Sequence, residues 1–261
     1  MTPVGQLTDG TSNATLLVRR HADASGTFQG TGRVDLSGKL INNGKVIASG
    51  KGVLDLESMA TVDNLIENTS DNGWYAANGA TLALPTIAVA TGSGTYNWGE
   101  SPGDATIDLV NSLSFGFDNV TAAGGLDVRL LALDHPALPG GLDNCVGAWQ
   151  FSALDGLAFD SVDVTFRYDD TLAGALDLDP DTMCAMHYDG SGWTDFTTGR
   201  DLANCLLMAD GVTSFSYFAV IGDVYQPPTP DGVIPEPATA TLLGAALAAL
   251  AGAVRRRGRK G

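Results

Sequence analysis

Short apolar steps separated by glycine and asparagine run through the first half of the chain. Residues 45–48 and 52–56 are examples. Asn-Gly pairs, which favour tight turns, fall at Asn43–Gly44, Asn72–Gly73 and Asn78–Gly79. Steps this short, with a turn at each end, leave no room for helices. We therefore expect residues 26–140 to form β-helix-like rungs of a parallel β-helix. An antiparallel sandwich would have a similar composition and is the alternative.

The pattern changes from residue 141 onward. Val162, Val164, Phe166 and Tyr168 alternate strictly with other residues and would share one face of a strand. Residues 183–188 and 193–196 flank an Asp-Gly-Ser-Gly turn and read as a hairpin, and residues 202–208 and 214–221 add two strands. These features predict an antiparallel β-sandwich module over 141–224. The predicted class of the whole body is all-β.

Charge and composition narrow the function classes. The chain has 261 residues, of which 44% are hydrophobic and 17% charged, and its formal net charge is -16. Five of its 14 basic residues lie among the last seven residues, so the rest of the chain is more acidic still. Such a body repels phosphate backbones, which argues against nucleic-acid binding.

The C-terminal part is organised as a tail. Residues 225–234 form a stiff Pro-rich linker. Residues 238–254 carry no charge and have about the minimum length of a transmembrane helix. The basic residues that follow would stop the segment on the cytoplasmic side and leave the body outside. These are Arg255, Arg256, Arg257, Arg259 and Lys260.

Residues 235–261 resemble the PEP-CTERM sorting signal. Pro235, Glu236 and Pro237 precede the apolar segment, and the arginines end it. The resemblance implies recognition by an exosortase-type membrane protease. It also implies insertion in the membrane during export, followed by release to the cell surface or to an exopolysaccharide matrix. A plain tail anchor is the alternative. Exported proteins need an N-terminal signal, yet residues 1–25 lack one; we expect that region to be poorly ordered and truncated.

Two parts of the body carry weaker resemblances. The stretch INNGKVIASGKGVLDLE is similar to rungs of autotransporter-like surface proteins. Residues 144–222 contain YDD, YDGSGW and TSFSYFAV, and resemble a β-sandwich module near the C-termini of bacterial surface proteins. Such modules are usually spacers, so the resemblance implies a structural role.

The three cysteines have no metal-type spacing. In an exported protein a disulfide between Cys184 and Cys205 is the most plausible pairing. Three inert buried thiols, Cys145 included, are the other interpretation.

Residues that carry chemistry are few. The histidines are His21, His135 and His187, and no nucleophile, phosphate-loop or metalloprotease motif accompanies them. We expect no catalytic residue, no metal site and no cofactor. Aspartates at 169–170 and 177–181 have oxygen ligands for Ca²⁺, but solvated turns explain them better. The tryptophans, which stack on sugars or fill sheet cores, are Trp74, Trp98, Trp149 and Trp193.

The sequence thus predicts an exported cell-surface or matrix protein with a structural or adhesive role and no catalysis. The alternatives are a polysaccharide-acting enzyme and a carbohydrate-binding module of the matrix.

Overall fold

The structure, a computed structural model, describes residues 16–19, 27–34, 39–56, 61–63, 72–101 and 107–226. The chain divides into two units, Met1–Val224 and Tyr225–Gly261, and every element below lies in the first unit. Strands dominate this unit, so the predicted all-β class is confirmed. Among the described residues, no helix is long and apolar enough to cross a membrane. The predicted transmembrane segment, 238–254, lies outside them.

The first nine described strands, here called the solenoid (residues 16–83), are short and recur in three sets of three. The first turn contains β1 (Leu16–Arg19), β2 (Thr27–Gly30) and β3 (Gly32–Arg33). The second contains β4 (Lys39–Asn43), β5 (Lys45–Ser49) and β6 (Val53–Asp55). The third contains β7 (Thr61–Asp63), β8 (Gly73–Ala77) and β9 (Thr81–Ala83).

Equivalent strands of successive turns pair in parallel. The three stacks are β1–β4–β7, β2–β5–β8 and β3–β6–β9. In the second stack Val46 pairs with Trp74, and both side chains are fully buried. The inward positions of each turn therefore lie above those of the previous turn, so neighbouring turns bury one another's apolar side chains.

The later strands are longer and pair antiparallel. The first five are β10 (Ile87–Val89), β11 (Gly92–Trp98), β12 (Leu113–Ala122), β13 (Gly124–Leu131) and β14 (Cys145–Leu154). Next come β15 (Ala158–Phe159), β16 (Val162–Arg167), helix α1 (Asp170–Ala175) and a 3-10 turn, Pro180–Thr182. The last five are β17 (Cys184–Tyr188), β18 (Trp193–Asp195), β19 (Gly199–Asp201), β20 (Leu206–Val212) and β21 (Tyr217–Ile221).

These strands form two sheets packed face to face. Sheet I has the order β18–β17–β21–β14–β13–β9–β6–β3, with β10 also paired to β13. Sheet II has the order β11–β12–β16–β20–β19, with β15 paired to β12. Their inner faces meet through aromatic rings: Phe151 of sheet I stacks on Phe218 at 4.4 Å and meets Phe115 of sheet II at 5.2 Å. Large aromatic side chains thus supply much of the apolar area that holds the sandwich together.

The change from parallel to antiparallel pairing occurs at β9, well before residue 140, where the sequence analysis placed it. β9 pairs in parallel with β6 and antiparallel with β13. β12 and β13, which had been assigned to the rungs, are antiparallel strands of the sandwich. Leu113, Phe115 and Phe117 are buried on alternate positions of β12. This period of two is that of a half-buried strand rather than of a rung.

The predicted strand over residues 161–168 is present as β16. Val162, Val164 and Phe166 are fully buried, and the strand lies between β12 and β20. The predicted hairpin is also present, because β17 pairs with β18 across the Asp-Gly-Ser-Gly turn. In that turn Asp189 accepts hydrogen bonds from the Ser191 hydroxyl and from the amides of Ser191 and Gly192, and these bonds lower its pKa to about 2.

Candidate functional site

Several predicted functional residues lie outside the described residues. They are the sorting motif Pro235, Glu236 and Pro237 and the basic stop Arg255, Arg256, Arg257, Arg259 and Lys260. His21 lies outside them too.

The predicted Cys184–Cys205 disulfide is not formed. Cys184 lies on β17 of sheet I, whereas Cys205 precedes β20 of sheet II, and both are free thiols, as is Cys145. Cys184 Sγ instead contacts Met186 Sδ at 3.7 Å, and Cys205 Sγ contacts the Leu202 carbonyl oxygen at 3.8 Å. Burial raises the pKa of both Cys145 and Cys184 to about 11, which leaves these thiols unreactive near neutral pH.

The described histidines are in structural positions. His187 stacks on Phe218 at 4.3 Å, and its Nε2 lies 3.0 Å from Ser216 Oγ. The Ser216 hydroxyl also contacts the carbonyl of Tyr188, so that carbonyl and the His187 ring share its single proton as possible acceptors. His135 contacts Thr81 Oγ1 at 3.2 Å at the edge of the solenoid.

The aspartates considered for Ca²⁺ cap local structure instead. Asp169 is the N-cap of α1, a helix that the sequence analysis did not predict, and accepts from the Leu172 amide at 2.9 Å. Asp179 caps the 3-10 turn and accepts from the Asp181 amide at 3.0 Å. Within the described ranges, no three metal-type side chains come together.

Only one of the four tryptophans is available at the surface. Trp74, Trp98 and Trp149 are at most 1% exposed. Trp193 is half-buried on β18, the outermost strand of sheet I. The core interpretation thus holds for three tryptophans, and the surface interpretation is open for the fourth.

Trp193 ends a line of side chains that crosses sheet I. Cα pairing joins Arg129 to Gln150, Gln150 to Tyr217, Tyr217 to Tyr188, and Tyr188 to Trp193. These five residues, here called the outer row, are all half-buried. Their sequence neighbours Leu130, Trp149, Phe218 and His187 are buried on the opposite, core-facing side. Because neighbouring strands lie about 4.8 Å apart, the outer row is about 19 Å long.

The aromatic half of the outer row is held rigidly. The Tyr188 and Trp193 rings are 5.3 Å apart at 58°, and the Tyr188 and Tyr217 rings are 6.5 Å apart at 74°. Trp193 Nε1 donates to the Gly140 carbonyl at 3.1 Å, and the Tyr188 hydroxyl donates to the Gly190 carbonyl at 3.2 Å. Side chains fixed in this way lose little conformational entropy when a ligand binds.

The polar half of the outer row has unused hydrogen-bonding capacity. Asp127, on the same face of β13, forms a 2.9 Å ion pair with Arg129 through Oδ2. Its Oδ1 is buried and has no partner among the described residues, and Asp127 as a whole is only 8% exposed. The Gln150 amide and the Tyr217 hydroxyl likewise have no protein partner in the described part of the chain. The half-buried Gln150 amide and Tyr217 hydroxyl are therefore suited to a ligand that supplies hydroxyl groups, whereas Asp127 Oδ1 lies beneath the surface.

A second polar group is buried where the solenoid meets the sandwich. Glu100 is only 2% exposed, and its Oε1 accepts from the amides of Asp108 at 2.7 Å and Leu109 at 2.5 Å and from the Ser112 hydroxyl at 3.2 Å. Burial is the largest influence on this carboxyl and raises its pKa to about 7, while the three hydrogen bonds oppose the shift.

The segment held by Glu100 extends the second stack of the solenoid. Val110 forms a parallel bridge with Gly73, donates to the Asn72 carbonyl at 2.9 Å and accepts from the Trp74 amide at 3.0 Å. The side-chain Nδ2 of Asn111 donates to the Trp74 carbonyl at 2.8 Å. This region, the junction (Asn72–Trp74, Glu100 and Leu109–Ser112), is a polar network inside an apolar core.

An open depression of about 650 Å³ lies on the outer face of sheet II. It is lined by Ser93, Gly94, Thr95, Gly116, Phe117, Asp118, Ser161 and Asp163. Gly116 lies between Thr95 and Asp163 in register, and its missing side chain creates the hollow. One Asp163 oxygen is already used by the Gly211 amide at 2.8 Å, and Phe117, the aromatic residue of the lining, is only 3% exposed.

Comparison with known proteins supplies no relative from which a function could be transferred. No protein-family model, no curated protein and no solved structure matches the chain. Of the outer row, sequence reasoning identified Trp193 alone as a candidate. The other members come together only through the order of strands in sheet I.

Proposed function

We propose that this is an exported cell-surface or matrix protein with a structural and adhesive role, and that the outer row is its adhesive surface. The observation that carries the proposal is the juxtaposition of three half-buried aromatic rings with the unused polar groups of Gln150 and Tyr217. Aromatic faces beside hydrogen-bonding side chains suit carbohydrate, which presents C–H faces and hydroxyl rims.

The C-terminal tail, residues 235–261, would direct the protein to that location. Pro235, Glu236 and Pro237, the apolar segment 238–254 and the final basic cluster are the features an exosortase-type protease would recognise. The body would pass the membrane, be released near the Pro-Glu-Pro, and enter the surface layer or an exopolysaccharide matrix. Its acidic net charge is compatible with that exposed location.

The architecture suits a spacer that carries a binding face. We propose that β1–β9 are rungs of a parallel β-helix joined to an antiparallel sandwich, as the three parallel stacks and two packed sheets support. Both parts share sheet I, so the outer row is mounted on a rigid body rather than on a loop.

We propose that the protein binds its ligand without catalysing a reaction on it. The described histidines contact hydroxyl groups of the protein itself: His135 contacts Thr81, and His187 contacts Ser216. The competing hypothesis is an enzyme that acts on polysaccharide. It would require a pair of carboxylates placed across a bound chain.

The experiment has two readouts on the full-length protein. Mass spectrometry of the native C-terminal peptide, in membrane and extracellular fractions separately, should find the chain ending near residues 235–237 outside the cell. Incubation with the extracellular polysaccharide of the producing cells should retain the protein and release no new reducing ends. An intact basic C-terminus in the membrane fraction would refute the sorting proposal. New reducing ends would establish the enzyme instead, and a lack of retention would leave a spacer without adhesion.

A further inference from the structure

We propose that the outer row binds a single chain of an uncharged glycan, lying across the strands of sheet I from Asp127 and Arg129 toward Trp193. This inference rests on the adhesive function proposed above and names the chemical class of its ligand. It is carried by three properties of the outer row: its unused donors and acceptors, its compensated charge and the mutual tilt of its rings.

The unused polar groups select a ligand rich in hydroxyls. The Gln150 amide and the Tyr217 hydroxyl each donate and accept hydrogen bonds. A sugar hydroxyl does both, so one ring placed at this end can satisfy both groups. The adjoining Tyr217 and Trp193 rings provide apolar faces for the next sugar rings along the chain.

The charges select a neutral ligand. Arg129 is the cation of the outer row, and Asp127 at 2.9 Å compensates it. Asp195 lies two residues beyond Trp193 on β18, and Asp189 begins the turn beside Tyr188. With a formal net charge of -16 on the whole chain, a uronate or sulfate polymer would be repelled rather than attracted.

The ring orientations select a dissolved single chain rather than a packed crystalline face. A flat polysaccharide surface requires aromatic rings that lie in one plane. Here the central ring, Tyr188, is turned by 74° from Tyr217 and by 58° from Trp193. Successive sugar rings of a free chain can turn relative to one another, so such a chain can meet faces that point in different directions.

The test uses one polysaccharide in two charge states. The extracellular polysaccharide of the producing cells is separated by anion exchange into neutral and acidic fractions. Part of the acidic fraction is then carboxyl-reduced to give a matched neutral polymer. Affinity of the full-length protein for each is measured by retardation in polysaccharide-containing native gels. We expect binding to the neutral and carboxyl-reduced polymers, none to the acidic polymer, and none to microcrystalline cellulose. Between about 0.01 and 1 M salt, where the Debye length falls from about 30 to 3 Å, affinity should change by less than about twofold.

Substitutions locate the site. Trp193→Ala and Tyr217→Ala should each weaken binding at least about tenfold, which corresponds to about 1.4 kcal/mol. Tyr217→Phe keeps the ring and should show a smaller loss, through the hydroxyl alone. Tyr225→Ala removes a 46% exposed tyrosine outside the outer row and should bind like the wild type. Near-ultraviolet circular dichroism of every variant checks that the fold is retained.

The outcomes separate this inference from the proposed function. Tyr217-dependent binding to the acidic polymer would leave the adhesive function standing and overturn the neutral ligand. Binding that Trp193→Ala and Tyr217→Ala leave unchanged would keep adhesion and remove it from the outer row. Firm binding to microcrystalline cellulose would overturn the single-chain geometry. Absence of binding to all fractions would refute this inference and the adhesive part of the proposed function, and would leave a structural spacer.

Discussion

Replacing Glu100 by glutamine should remove a pH dependence from the stability of the protein. The carboxyl has a pKa of about 7 in the folded chain, against 4.5 for an ordinary glutamate. The folded state therefore binds a proton more tightly than the unfolded state, and the free energy of unfolding must fall as pH rises between these two values. At 1.36 kcal/mol per pKa unit, the loss amounts to about 3 kcal/mol.

The structure explains why this cost is tolerated. Glu100 Oε1 accepts from two amides and one hydroxyl, and these contacts hold the segment that extends the second stack of the solenoid. Nearby Asp108 adds a like charge that disfavours ionisation further. Glutamine keeps an acceptor at this position but cannot ionise, so Glu100→Gln should retain the contacts without the cost at high pH.

The assay is thermal unfolding of wild type and Glu100→Gln, followed by tryptophan fluorescence, at pH values between about 4 and 8.5. For a chain of this size, about 3 kcal/mol corresponds to roughly 6–12 °C in Tm. The Tm of the wild type should fall by that amount relative to the variant as pH rises. Burial also raises the pKa of Asp169, but the comparison cancels the effect of groups that titrate in both proteins. A difference in Tm that stays constant from about pH 4 to pH 8.5 would refute the reasoning, because Glu100 would then not titrate in this range.

Three further predictions concern packing, thiols and a helix cap. Gly73→Ala would place a Cβ 2.5 Å from the Val110 carbonyl oxygen and should lower the free energy of unfolding in urea by about 1–3 kcal/mol. At Gly174 a Cβ meets nothing within 4 Å, so Gly174→Ala should be neutral or stabilising by up to about 1 kcal/mol. Equal effects of the two substitutions would contradict the close approach at the junction. Thiol titration in denaturant without reductant should find three free cysteines, and a single one would show that a disulfide forms. Asp169→Ala should destabilise by about 0.5–2 kcal/mol through loss of the α1 cap, and Asp169→Asn, which keeps an acceptor, by less; no difference between the two would exclude capping as the cause.

The sequence predicted correctly those strands and turns whose conformation is set by residues close together in the chain. The strict alternation at 162–168 requires a strand with one buried face, and β16 has that face against sheet I. The Asp-Gly-Ser-Gly stretch between apolar runs requires a tight turn, and β17 and β18 pair across it. The limit of this reasoning is visible at β12, where the alternation of Leu113, Phe115 and Phe117 was overlooked beside the glycine-rich steps around it.

The candidate site depends on information that no local pattern contains. Gln150, Tyr217 and Tyr188 lie on β14, β21 and β17, which are adjacent in sheet I but far apart in sequence. Their alignment follows from the pairing register, and a shift of one residue on any strand would turn its side chain into the core. Sequence reasoning recognised the chemistry of Trp193 but had no means of placing these partners beside it.

Continuity of sheet I gives the proposed adhesive role a mechanical basis. Hydrogen-bonded strands run without interruption from β18, which carries Trp193, to β9, and from there to β6 and β3 in the solenoid. β9 pairs antiparallel with β13 on one edge and in parallel with β6 on the other. A load on a glycan bound at the outer row would therefore pass into the solenoid through backbone hydrogen bonds, with no flexible linker between them. The buried junction adds a second connection, because Val110 bonds to the second stack through Asn72 and Trp74. A surface protein that only had to display a binding module would need neither connection, whereas one that must hold a matrix under tension benefits from both.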